Sequence, residues 1–167
     1  TVAIFEGLMV DRPPLEERML DALHPPAREA YLQARTALGT PQGRQNAVTE
    51  AAFEKLLAYE LAFVRAGGLL GAGVDPTGIG GVLAGCGNQR NYELFLEGGF
   101  TPVEAIQVAT SNGAKALGIF SETGSIEVGK NADLVLVTGN PAQNVSDIKN
   151  VEIVFRDGIG YNVPKMI

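Results

Sequence analysis

The spacing of apolar residues changes near residue 118, and this change divides the chain into two parts. Between residues 46 and 65, apolar side chains recur at steps of three and four, which places them on one face of an amphipathic helix. These positions are Phe53, Leu56, Leu57, Leu61 and Val64. Beyond Gly118 the pattern becomes a continuous apolar run, DLVLV, and then an alternating one, VEIVFR, followed by the turn dipeptide DG. We therefore predict alternating helices and strands in residues 1–118 and a small β module in residues 119–167.

Prolines and glycines mark further elements of the first part. The opening run TVAIFEGLMV, residues 1–10, combines β-branched and aromatic residues and predicts a buried strand followed by a loop. Proline pairs open predicted helices at residues 13–23 and 25–38, and GTPQGRQN at residues 39–46 predicts a loop. The glycines that follow the long helix end it, and LLGAGVD at residues 69–75 predicts a short strand.

A glycine-rich loop follows this strand and leads to a predicted helix at residues 91–99. Thr101 as N-cap, Pro102 at the first helical position and Glu104 three residues after the cap form a capping box, which predicts the start of the next helix. A short helix in NGAKALGI completes the first part.

Composition limits the kinds of partner and compartment. The chain of 167 residues has a net charge of −6 and no basic tract, which argues against nucleic acid or an anionic membrane as a partner. A single cysteine, Cys86, excludes an internal disulfide framework and leads us to expect a cytoplasmic location. No apolar stretch is long enough to span a membrane. The strand-like run at residue 1, without an initiator Met, predicts a chain that enters in mid-fold.

Three ordered motifs carry a family resemblance. GSIEVGKNADLV at residues 124–135 resembles the amidohydrolase superfamily, in particular its imidazolonepropionase-like and prolidase-like branch, where this pattern marks the exit from a (β/α)₈ barrel into a small β-sandwich. The preceding EGGFTPVEAIQVATSNGAKALGI resembles the helical segment after the last barrel strand, and GVDPTG at residues 73–78 resembles the tip of strand eight. The resemblance implies an α/β fold: the last units of a TIM-like barrel in residues 1–118 and part of a C-terminal β-sandwich in residues 119–167.

The same resemblance implies a metal-dependent hydrolase that cleaves C–N bonds of amides, peptides or cyclic amides with metal-activated water. Asp75 matches the strand-eight aspartate that binds a metal and moves a proton from water to the leaving group. The family's histidine ligands have no match, because the only histidine, His24, lies in a helical region. We therefore expect a divalent metal, zinc, in the complete enzyme, and no proper metal site in this chain alone.

Candidate substrate contacts follow Asp75 in the chain. Thr77 and Gly78 lie in the glycine-rich loop, which lacks a phosphate-binding pattern and is better interpreted as a substrate-facing loop. Asn88 and Arg90 lie in NQRN, and a guanidinium there could bind a substrate carboxylate in bidentate fashion. Simpler alternatives stay open, because Asp-Pro is a common turn initiator and Arg90 could be an ordinary surface arginine.

Two hypotheses of different class remain. In the first, the chain is the carboxy-terminal part of an amidohydrolase with a small-molecule or dipeptide-like substrate, and it is inactive without its missing N-terminal half or a partner chain. In the second, it is a non-catalytic scaffold remnant that completes its core with a partner chain or as a homo-oligomer. An open barrel fragment exposes strand edges and apolar faces, so we expect a homo-oligomer or a paired chain in either case. Asp133, in ADLVL, is expected to be structural and to satisfy turn amides before the strand.

Overall fold

A computed structural model describes residues 2–10, 17–75 and 87–165 of the chain. Its helices are α1 (Val2–Gly7), α2 (Glu17–Asp21), α3 (Pro25–Leu38), α4 (Pro41–Asn46), α5 (Glu50–Arg65), α6 (Gly87–Glu97), α7 (Pro102–Gln107) and α8 (Gly113–Ala116). One π-helical turn, Val108–Asn112, connects α7 to α8. The strands are β1 (Leu134–Val137), β2 (Val151–Arg156) and β3 (Ile159–Asn162), and short 3₁₀ turns lie at Val145–Lys149 and Val163–Lys165.

The core lies between α5 and α6. Phe53 and Leu57 of α5 are buried, which confirms the helical face that the apolar spacing predicts. They pack with buried residues of α6 and α7 and of the segments that follow α1, α6 and α7: Met9, Tyr92, Leu94, Phe95, Phe100, Ala105 and Val108. The rings of Phe95 and Phe100 lie 5.1 Å apart between centroids. Full burial of each large apolar side chain contributes about 1.5–3 kcal/mol, so this cluster is the main stabilising feature of the helical part.

The opening run forms a helix, α1, and the predicted strand at residues 1–10 is wrong. A short apolar run does not distinguish a buried strand from a buried helical turn, and neighbouring structure decides between them. None of the described residues offers a strand beside it, whereas α5 and α6 both pack against α1. The amide of Val48 also donates to the carbonyl of Leu8, which fixes the exit from α1.

The segment GTPQGRQN contains a helix, α4, and the prediction of a loop there is also wrong. The hydroxyl of Thr40 accepts a hydrogen bond from the amide of Gly43 at 3.1 Å, and Pro41 occupies the first turn, so the segment has its own N-cap. A Cβ at Gly43 would lie 2.2 Å from the carbonyl oxygen of Ala37. The glycine therefore permits close packing of α4 on the end of α3, a requirement that local composition does not reveal.

Residues 69–75 do not form a strand, contrary to the expectation. Within the described part of the chain, the backbone hydrogen bond of this segment to the helical region runs from the amide of Ala72 to the carbonyl of Val108, at 3.2 Å. A strand requires a ladder with a neighbour, and no described residue supplies one beside it. The next helix, α6, begins at Gly87, four residues before the predicted start.

The β module matches its prediction. Strands β1, β2 and β3 form an antiparallel sheet in that order, with Leu134 opposite Phe155. Asp157 and Gly158 connect β2 to β3 with φ values of 49° and 80°, as a type I′ hairpin turn requires. Asp133 accepts hydrogen bonds from the amide of Asp157 at 3.0 Å and from the guanidinium of Arg156 at 2.9 Å. Its expected structural role is thus confirmed, although the amide that it satisfies belongs to the later hairpin.

Lys130 organises the loop that contains the GSIEVGKNAD motif. Its ammonium group donates to the carbonyl of Phe120 at 2.5 Å and to the hydroxyl of Ser125 at 2.6 Å, and it lies 3.6 Å from the centroid of the Phe120 ring. Ser125 in turn donates to Glu127. Gly124 has a φ of 92°, and a Cβ there would lie 2.5 Å from the Cβ of Ala114 on α8. The motif therefore fastens the loop against α8 just before the β module.

The predicted capping box is present at the start of α7. The amide of Thr101 donates to Glu104 at 2.7 Å, and the amide of Glu104 donates to the Thr101 hydroxyl at 3.3 Å. The hydrogen bond from the Thr101 backbone is the largest influence that lowers the pKa of Glu104, and Arg65 adds to it. The charged form of Glu104 is therefore favoured in the folded state.

We expect Glu104→Ala to destabilise the chain in a pH-dependent way. A carboxylate with a lowered folded-state pKa stabilises the fold above its unfolded-state pKa, and this contribution is lost as the pH falls through the folded-state value. The difference in unfolding free energy between the wild type and the variant should thus be largest near neutral pH and shrink in acid. Urea unfolding at several pH values measures it, with Thr101→Ala, expected to lose about 1 kcal/mol, as the reference for the cap itself. A difference that is constant with pH would contradict the electrostatic contribution.

Candidate functional site

Asp75 lies exposed at the end of the segment that runs from α5 towards α6. Its backbone adopts a φ of 40°, a left-handed conformation that aspartate and asparagine tolerate better than other non-glycine residues. Two hydrogen bonds secure the residues just before it. The amide of Ala72 donates to the carbonyl of Val108, and the side-chain amide of Asn91 donates to the carbonyl of Gly73 at 2.7 Å. Asp75 is thus an exposed residue that follows a backbone segment held by these two hydrogen bonds.

The first turn of α6 lies close to this segment in the fold and contains two of the predicted substrate contacts. Asn88 is exposed and Arg90 is half-buried. Asn91 is 1% exposed, and the bond to Gly73 places it against the Asp75 segment. Asn91 is not among the substrate contacts that the sequence predicts, and it lies inside α6. The predicted contacts Thr77 and Gly78, together with Cys86, lie outside the described residues.

Arg90 is engaged by three carboxylates of the chain itself. Its guanidinium lies 2.6 Å from Glu6 on α1, 2.9 Å from Glu93 and 2.8 Å from Glu97, the last two on its own helix. Burial is the largest single influence on the pKa of Arg90 and lowers it, but the hydrogen bonds and charges of these carboxylates outweigh burial and raise the pKa. The arginine therefore stays charged at any accessible pH. Its predicted contact with a substrate carboxylate stays a prediction, and such a contact would compete with Glu6.

Two further contacts connect α6 to the β module. Lys149, in the 3₁₀ turn before β2, lies 3.0 Å from Glu93, whose side chain is only 8% exposed. The hydroxyl of Tyr92 donates to the carbonyl of Pro141 at 3.1 Å, and burial raises the pKa of this phenol. Helix α6 is consequently the element that joins the Asp75 segment, α1 and the β module. Arg90, Glu93 and Glu97 are spaced by three and four residues, which places them on one helix face. This spacing is the sequence signal from which the ion pairs within α6 can be predicted.

The described residues do not fit a metal centre. In residues 2–10, 17–75 and 87–165, no group of three His, Cys, Asp or Glu side chains is arranged to hold a metal ion. His24 is exposed at the start of α3, where it occupies the N-cap position without a side-chain capping bond. A catalytic zinc normally takes three protein ligands, so Asp75 by itself does not constitute such a site.

In the part of the chain that the structure describes, no helix is both long and apolar enough to cross a membrane.

The chain is similar to proteins of one superfamily in sequence and in fold. It is 43% identical over 79 residues to a 5'-deoxyadenosine deaminase of Methanobrevibacter smithii, a match that covers 47% of this chain and 18% of that protein. A solved Xaa-Pro dipeptidase with bound methionine is 26% identical with a TM-score of 0.60, over 89% of this chain and 38% of that one. A putative prolidase from Bifidobacterium longum, 23% identical with a TM-score of 0.63, is matched over 96% of this chain and 33% of its own.

These matches define the coarse architecture. The chain spans less than two fifths of the length of the two solved structures, and less than one fifth of the deaminase. The structural neighbours imply a TIM-barrel-like fold, and the described residues of this chain form helices and a separate three-stranded antiparallel sheet. A family model described as "Amidohydrolase family" matches residues 64–159, from the end of α5 through the Asp75 segment to the first residue of β3. The chain therefore belongs to the amidohydrolase family.

Proposed function

We propose that this chain is the carboxy-terminal part of a metal-dependent hydrolase that cleaves C–N bonds, and that Asp75 is its catalytic carboxylate. The observation that carries the proposal is the position of Asp75. It is an exposed carboxylate that follows the helix α5 and a segment anchored to α6, inside the region that matches the family. A carboxylate presented in this way can accept a proton from an attacking water and return it to the leaving nitrogen.

The remaining metal ligands have to come from outside the described residues. Because the described residues contain no group of three candidate metal ligands, we propose that the histidine-bearing strands belong to another part of the polypeptide or to a partner chain. Residues 1–118 then contribute the last barrel units, and residues 119–167 contribute part of a β-sandwich. Zinc is the metal that we propose for the complete site.

The relatives suggest two substrate classes that share one chemistry. A prolidase or Xaa-Pro dipeptidase acts on a dipeptide, and a 5'-deoxyadenosine deaminase acts on an aminopurine nucleoside. Both reactions add water to a carbon and expel nitrogen, which requires one group to take a proton and then give it back. We favour the dipeptide class because the structural neighbours cover most of this chain, whereas the deaminase match covers less than half. Asn88 and Arg90 are the candidate contacts for the substrate, with Thr77 and Gly78 in the loop beyond Asp75.

A two-part assay tests the proposal. In the first part, the 167-residue chain is titrated with zinc, and we expect neither stoichiometric tight binding nor hydrolysis. In the second part, the chain is assayed together with the polypeptide that supplies the histidines. We expect metal-dependent release of proline from Xaa-Pro dipeptides. 5'-Deoxyadenosine is assayed separately as the alternative substrate.

The outcomes separate the hypotheses. Tight zinc binding with turnover by the chain alone would refute the proposal that its metal site is incomplete. A stable complex with the histidine-bearing polypeptide that turns over neither substrate class with any divalent metal would refute the hydrolase and favour a scaffold. Gel filtration of the chain alone adds an independent result, since a soluble monomer that unfolds in two states favours an independent domain.

A further inference from the structure

The polar side chain of Asn91 is buried, and such burial costs free energy unless its hydrogen bonds are satisfied. It is 1% exposed, in a stretch of α6 whose neighbours Tyr92, Leu94 and Phe95 are buried hydrophobic residues. Its Nδ2 donates to the carbonyl of Gly73 at 2.7 Å, whereas its Oδ1 is buried without a hydrogen-bond partner among the described residues. A buried acceptor without a donor is unfavourable, so an apolar side chain would serve the packing of α6 better.

The one bond that Asn91 makes is directed at the Asp75 segment. Gly73 lies two residues before Asp75, and the segment has no strand ladder among the described residues. The Asn91 bond and the bond from Ala72 to Val108 therefore hold the backbone just before the left-handed conformation of Asp75. Strained backbone of this kind persists only where the surrounding structure holds it.

We propose that Asn91 is a positioning residue for the Asp75 carboxylate. The expected effect on catalysis rests on the proposed function. The expected effect on the backbone at Gly73 and Asp75 does not depend on it. Asn91 acts through the carbonyl of Gly73, two residues before Asp75. Polar residues that weaken a core are typical of sites where position matters more than stability.

The test replaces Asn91 by leucine, which has a similar size and no donor. In isotope-labelled protein we expect the carbonyl carbon signal of Gly73 to move, because that signal reports hydrogen bonding to its oxygen. The Cα and Cβ signals of Asp75 should move with it as the left-handed conformation is lost, and the amide of Ala72 should exchange with solvent about tenfold faster. If the leucine variant does not fold, the same signals are compared in Asn91→Ala, because the smaller alanine side chain leaves room for water near the Gly73 carbonyl.

Tyr92→Phe is the matched control. It removes a buried side-chain hydrogen bond from the adjacent residue of α6, but that bond is directed at Pro141 in the loop after β1. We expect Tyr92→Phe to leave the signals of Gly73 and Asp75 unchanged. If a folded Asn91 variant leaves the Asp75 signals as in the wild type, or if Tyr92→Phe moves them equally, Asn91 has only a packing role.

A kinetic measurement separates this inference from the proposed function. In the assembled hydrolase, an Asn91 variant should lower kcat with little change in KM, because it displaces a catalytic group and not a substrate contact. If the nuclear magnetic resonance signals move but no hydrolase activity is found in any assembly, the positioning role holds and the proposed function fails. If activity is found and kcat is unaffected by a folded Asn91 variant, the positioning role fails and the function stands.

Discussion

Replacing Asp75 with asparagine lowers kcat of the assembled hydrolase by about 10²–10⁴-fold, which is the range that a general acid–base group contributes. The amide has the size of the carboxylate but cannot accept the proton of the attacking water. Asparagine also tolerates the left-handed φ of 40° at this position, so the substitution removes the chemistry and preserves the backbone. Alanine would lose both, which makes it the poorer variant. KM should change far less than kcat, because the lost interaction belongs to the transition state.

Asp133→Asn is the control for this experiment. Asp133 is also an aspartate in the region that matches the family, but its carboxylate binds Arg156 and the amide of Asp157 in the β module. We expect Asp133→Asn to reduce stability modestly and to leave kcat unchanged. Equal kcat values for wild type and Asp75→Asn, at equal metal occupancy, would remove Asp75 from the mechanism.

The sequence predicted the elements that local signals determine. The face of α5, the capping box at Thr101 and the Asp157–Gly158 hairpin all depend on spacing or turn chemistry within a few residues, and all three are present. The predictions that failed depend on distant neighbours. Residues 1–10 and 69–75 have strand-like composition, but a strand needs a partner, and the described residues supply none to either segment.

The residues of the candidate site also differ in whether they depend on local sequence or on distant contacts. Asp75 is predicted from the family resemblance of GVDPTG, a motif of six consecutive residues, and its catalytic role stays a prediction. Asn91 was not found, because its role depends on a contact with Gly73, 18 residues earlier. The engagement of Arg90 by Glu6 spans 84 residues and was equally inaccessible to a local interpretation, although the helical spacing to Glu93 and Glu97 was visible.

Arg90→Met should lower the free energy of unfolding by about 2–3 kcal/mol. Methionine preserves much of the apolar stem and removes the charge that three carboxylates share. Breaking a buried ion pair from one side costs about 3–5 kcal/mol, and the 29% exposure of the Arg90 side chain places it somewhat below that range. After the substitution, Lys149 still neutralises Glu93, but Glu6 and Glu97 lose the arginine that binds both. Urea unfolding measures the change, with the slope checked for a constant extent of unfolding.

Arg156→Met provides the comparison, because the Arg156 side chain is 69% exposed and its ion pair with Asp133 lies on the surface of the β module. We expect a loss below about 1 kcal/mol there. The pair of variants also decides between the two roles of Arg90. If Arg90→Met is no more destabilising than Arg156→Met but raises KM of the assembled hydrolase, the guanidinium serves the substrate carboxylate. If it destabilises the fold and the assembled enzyme keeps its KM, Arg90 serves to fasten α1 to α6, and substrate recognition belongs to other residues.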